Sequence, residues 1–140
     1  MLFPKPSYDL PDLPTNLTEL TDDVLMTLFS EFTGWQNYAA MQFAEAEVLE
    51  AKAQANVKLL EAQAMMLRPL NEKVTTSRAA VSTDEAIEQA KEEYMEIYAQ
   101  RKLHGVIREN TERCANVLSR ELTRRSSGVG MERRSMRWNP

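Results

Sequence analysis

The chain has little of what most folds and most active sites require. It holds one cysteine, Cys114, and one histidine, His104, among 140 residues. A single cysteine makes no internal disulfide, and with one histidine it cannot complete the ligand set of a zinc site. A reducing, cytoplasmic compartment is the expectation. Glycine occurs four times, and four of the six prolines lie in the first fourteen residues, so the stretch from Thr15 to Pro69 has Gly34 alone. Sheets need turn residues every few positions, and α/β crossovers need glycine-rich loops, which argues against both classes. The start, MLFPKPSYDLPDLP, lacks the basic and apolar regions of a signal peptide. No apolar run reaches the ~18–20 residues of a membrane span. Phosphate-cradling glycine loops, nucleophile elbows and a second histidine for acid–base work are missing too. The reading is an all-α, non-enzymatic protein with no catalytic residue, cofactor, metal or membrane association.

What is present is helical periodicity. Residues 1–20 form a proline-punctuated, extended and mobile arm. Thr21 before Asp22 and Asp23 is an N-cap with acids on the positive end of a helix. That helix is expected over about 22–68, where Pro69 ends it. A polar connection follows at 69–82. Ser82 with Glu85 forms a capping box that opens a second helix at about 83–125. Ser126, Ser127, Gly128 and Gly130 then release a flexible tail, 126–140. The two long helices are expected to form a helical hairpin.

The first helix carries a heptad. Its a positions are Leu25, Phe32, Ala39, Ala46, Ala53, Leu60 and Leu67, all apolar, whereas the d positions mix Leu28, Trp35 and Leu49 with Gln42, Asn56 and Gln63. In the second helix one stripe is Ile87, Ala90, Tyr94, Ile97 and Tyr98. Another is Leu103, Ile107, Cys114, Val117, Leu118 and Leu122, with Arg101, Lys102, His104 and Gly105 interrupting between them. Gly105 reads as a bend or a tight packing point, and Cys114 as a small buried hydrophobe. A ~45-residue helix is ~68 Å long, and one partner helix covers one side of it. Phe29, Tyr38, Phe43 and Val57 lie off the seam, so homo-oligomerisation is expected. Its interface is placed at Leu25, Leu28, Phe32, Trp35, Tyr38, Ala39, Phe43, Ala46 and Leu49. Glu45, Glu47, Glu50 and Glu61 lack the Glu-x-x-His partner of a carboxylate metal site.

The net charge of −4 conceals an asymmetry. Residues 1–100 carry 17 acidic and 7 basic side chains, and residues 101–140 carry 10 basic and 4 acidic. This fits an anionic partner, or basic ends docking on the acidic bodies of neighbouring copies. Arg120, Arg124, Arg125, Arg133, Arg134 and Arg137 end beside Trp138. Guanidiniums bind phosphate bidentately, and a tryptophan stacks on an unpaired base. The candidate nucleic-acid site is these residues with Arg101, Lys102 and Arg108. The alternatives to it are a solubilising tail or an arm that clasps a neighbouring protein.

The run Phe32 to Glu47 (FTGWQNYAAMQFAEAE), its Ala/Glu-rich continuation, the connection, and the close at Leu118 to Arg125 (LSRELTRR) resemble the small phage recombination-mediator proteins, the UvsY-like family. The likeness is one of layout across roughly 21–125. It implies a helical, ring-forming protein that binds single-stranded DNA and helps a RecA-like recombinase displace single-strand-binding protein. It also implies that Trp35 and Tyr38 pack the assembly, while Arg120, Arg124 and Arg125 belong to the DNA-binding end. Residues 22–50 depart from the family in carrying acids and no lysine or arginine, which moves the expected DNA contact to 101–140. The alternative is an oligomeric structural or adaptor protein of a phage virion or other assembly, with arm and tail clasping neighbouring subunits.

Overall fold

The computed structural model describes the backbone of residues 3–138 and the side chains of residues 3–128. The described chain is all-α. A 3-10 turn at Leu17–Glu19 precedes α1 (Asp22–Met66), α2 (Val74–Ser82) and α3 (Glu85–Trp138). The two long helices pack together. Among the described residues no helix is long and apolar enough to cross a membrane.

Local chemistry sets the helix ends. Thr21 Oγ1 accepts the Val24 N–H at 3.4 Å, and Asp22 and Asp23 occupy the first turn. At the far end of α1 the carbonyls of Ala64 and Met65 take the N–H groups of Leu67 and Arg68 in tight 3-10 fashion. The connection expected over 69–82 is mostly a short helix, α2, which buries Ser77 and Val81. The cap of α3 also differs from the expected box. Asp84 Oδ1 accepts the N–H groups of Ala86 (2.9 Å) and Ile87 (3.3 Å), while Ser82 Oγ donates back to the Ala79 carbonyl. A carboxylate one position before the helix is the stronger acceptor for those amides. Finally, α3 continues through Ser126–Gly130, where a flexible tail was expected, to Trp138.

The chain folds as two compact units. The first joins the residues up to Met41 to those from Val106 onward, and the second is Gln42–Gly105.

In the first unit Leu25, Phe32, Ala115 and Leu118 form the core. Leu13, Leu17, Leu20, Leu28, Phe29, Cys114 and Leu122 pack on it. Thr111 is fully buried and donates its hydroxyl back to the Ile107 carbonyl at 2.9 Å, so no polar atom of that side chain is stranded. The arm is not free: Leu13, Leu17 and Leu20 cover the core, and Tyr8 lies along α1. Tyr8 Oη donates to the Glu31 carbonyl (3.3 Å), and Trp35 Nε1 donates to the Tyr8 carbonyl (3.1 Å). Gly34 makes this possible, since a β-carbon there would meet the Tyr8 hydroxyl.

In the second unit Ala46, Val81, Ile87 and Ala90 are buried. Two ion pairs, Glu50–Arg101 (2.7 Å) and Glu61–Lys91 (3.3 Å), show that α1 and α3 run antiparallel, the second number falling as the first rises. Gly105 is a packing point, because a β-carbon would approach the Phe43 ring to 3.1 Å.

Two expectations about helix faces are corrected. Leu25, Phe32, Ala39 and Ala46, assigned to an interface between copies, are buried within the single chain. Their a-position seam is already covered by this chain's own helices. Leu103 and Ile107 are exposed, and the inward stripe of α3 runs through the half-buried Arg101, His104 and Arg108 to Thr111. Of the residues that looked like an interruption, Arg101, His104 and Gly105 lie on the packed face and Lys102 is exposed.

Candidate nucleic-acid interface

The arginines proposed from sequence fall into three groups. Arg125 is a clamp. Its guanidinium meets Asp22 Oδ1 at 2.7 Å and Glu121 Oε1 at 3.0 Å, and donates to the Leu17 carbonyl at 3.1 Å. Only 19% of its side chain is exposed. It ties α3 to the start of α1 and to the 3-10 turn, so its donors are committed inside the chain. Arg101 is likewise engaged, holding Glu50 and lying 5.1 Å from the Tyr98 ring centroid. Arg108 is half-buried. These three are withdrawn from the candidate interface: a phosphate would have to displace the contacts of Arg101 and Arg125, and Arg108 is partly covered.

The second group faces solvent. Arg120 and Arg124 are exposed on α3, and Lys102 is exposed with its ammonium 5.3 Å from the Tyr98 centroid. Arg124 pairs with Glu121 at 2.7 Å yet leaves 63% of its side chain accessible. Arg113, which sequence reasoning passed over, is also exposed. It lies seven residues before Arg120 and eleven before Arg124, spacings that put all three on one helix face. That spacing was the available signal. Arg113 and Arg120 share a shallow hollow of about 300 Å³ with Glu109, Glu112, Asn116 and Val117. Among the described residues neither arginine forms an ion pair. Glu109 and Glu112 weaken the positive field at the Arg113 end, and Glu121 does so beside Arg124.

The third group, Arg133, Arg134, Arg137 and Trp138, has side chains outside the described residues.

Glu121 sits between the first two groups. Hydrogen bonds from Arg124, then Arg125, hold its carboxyl down at about 2 against an ordinary 4.5. It is ionised at neutral pH and fixes both guanidiniums. Burial pushes the Cys114 thiol up, against the opposing charge of Arg113. Trp35 and Tyr38 meet edge to face, with ring centroids 5.8 Å apart at 78°. Together with the Tyr8 bond, that contact gives Trp35 a role within its own chain. Among the described residues no three His, Cys, Asp or Glu side chains could share a metal ion.

A comparison with known protein families, characterised proteins and solved structures finds no match to this chain.

Proposed function

We propose that the chain is a non-catalytic accessory protein of DNA recombination, of the UvsY-like mediator type. It binds single-stranded DNA through the arginine-bearing C-terminal part of α3. It acts in the cytoplasm as a homo-oligomer, helping to load a RecA-like recombinase where single-strand-binding protein competes. The observation that supports this reading is the row Arg113, Arg120 and Arg124, exposed on one face of a helix that continues into a segment with three further arginines and Trp138. Cations at helical spacing follow a phosphate backbone without reading bases, which suits a sequence-tolerant binder. Each site is weak, and several copies in one assembly gain avidity through effective concentration.

The test is fluorescence anisotropy of a labelled single-stranded oligonucleotide over a salt series, with duplex as control. If Arg113, Arg120, Arg124, Arg133, Arg134 and Arg137 all meet phosphates, the log–log slope is about −4. Changing Arg113 and Arg120 together to alanine then flattens it by about 1.4. Absence of binding at low salt removes the nucleic-acid role.

The structural or adaptor reading is supported by a different feature. Met66, Leu67 and Leu70 are almost wholly exposed where α1 gives way to α2, and such apolar surface serves assembly. Growth into large particles without DNA is its signature.

A further inference from the structure

A second interaction surface lies on α1 within Gln42–Gly105. Glu45, Val48, Leu49 and Lys52 follow one another at i, i+3, i+4 and i+7, a spacing that places them on one helix face. All four are exposed, Val48 at 54% and Leu49 at 53%. Leu49 and Ile97 both line two shallow hollows, one of about 270 Å³ and one of about 240 Å³. Glu45 belongs to the first hollow and Lys52 to the second. The face is therefore an apolar ridge on α1 with Glu45 on one flank and Lys52 on the other, Glu93 of α3 sharing the hollow of Lys52. Among the described residues neither Glu45 nor Lys52 has an ion-pair partner. Seven residues of helix hold them ~10 Å apart, too far to pair with each other.

We propose that this face docks on itself: a second copy of the chain packs antiparallel across it, with the twofold axis between Val48 and Leu49. Antiparallel superposition satisfies all four of these α1 side chains. The Val48–Leu49 pair of one copy covers that of the other, and Glu45 of each copy meets Lys52 of the other on both flanks. A parallel arrangement sets Glu45 against Glu45 and Lys52 against Lys52. The interface is thus isologous, one patch used twice. It gives a place and an orientation to the homo-oligomeric part of the function proposed above, on which it rests, and it needs nothing from the nucleic-acid part.

The test is sedimentation velocity of the full chain without DNA over a concentration series, with helicity followed by circular dichroism. Glu45→Lys alone or Lys52→Glu alone turns two attractive contacts into two repulsive ones. Each is expected to weaken self-association about tenfold or more. The double swap, Glu45→Lys with Lys52→Glu, restores it, and an equimolar mixture of the two single variants forms a heterodimer of near wild-type affinity. Both residues are exposed, so helicity stays unchanged. Self-association that is indifferent to the single swaps, or not restored by the double swap, overturns this interface while leaving an oligomer formed elsewhere. A wild-type chain that stays monomeric throughout overturns both the interface and the oligomeric reading.

Discussion

Replacing Gly34 with alanine separates two effects that usually travel together, overall stability and the docking of a local segment. The added methyl occupies the position of the Tyr8 hydroxyl, and a tyrosine tip is free to swing away. Swinging away breaks the bond to the Glu31 carbonyl and pulls the Tyr8 carbonyl from Trp35 Nε1. Each exposed hydrogen bond is worth about 0.5–1 kcal/mol net, since water replaces it. Against this loss of about 1–2 kcal/mol stands the gain of about 1 kcal/mol from alanine in place of glycine inside a helix. The two nearly cancel, so the melting temperature moves by only a few degrees. The arm, however, is released. The indole N–H of Trp35, followed by NMR, should shift and exchange with solvent, and chymotrypsin should cut faster after Tyr8. Tyr8→Ala should release the arm equally and, without the helix gain, lower stability by about 1–2 kcal/mol. A Gly34→Ala chain whose Trp35 indole stays protected, with unchanged cleavage, would refute the notch.

Three further outcomes follow from the packing and the caps. Leu118→Ala should cost about 2–5 kcal/mol because the side chain is fully buried, whereas Leu103→Ala, 59% exposed, should stay within about 0.5 kcal/mol; equal urea midpoints for the two would contradict the assigned face of α3. Asp84→Ala should lose about 1 kcal/mol at the start of α3 and Ser82→Ala much less, a ranking that the same denaturation curves check. Glu121 has a folded-state pKa below its ordinary value. Its contribution is therefore complete above pH 4.5 and is lost as pH falls from there through about 2. Glu121→Gln should flatten the acid limb of stability across that window, and an unaltered limb would deny the carboxylate that role.

The charge asymmetry shows how a correct observation can have a different cause. Acids early in the chain and arginines late in it fit an outside partner or a neighbouring copy. Antiparallel helices bring some of those charges together inside one chain, as Asp22 with Arg125 and Glu50 with Arg101. Arg125 shows the consequence most clearly. In sequence it is indistinguishable from Arg124, yet one residue along a helix is a 100° turn. That turn aims Arg125 at the start of α1 and leaves Arg124 toward solvent.

The sequence by itself determined the helical class, the pair of long helices, the Thr21 cap and the a-position seam. These depend on short-range rules: capping chemistry, 3.6-residue periodicity, and the scarcity of turn residues. Tertiary structure alone decided what covers each face. It buried Leu25, Phe32, Ala39 and Ala46 against the chain's own helices and turned Arg101 and Arg108 partly inward. It also left Leu103 outside, and folded the proline-rich arm back onto Gly34 and Trp35. A periodic pattern states which residues share a face. Which neighbour that face meets depends on residues distant in the chain, and only folding brings those into contact.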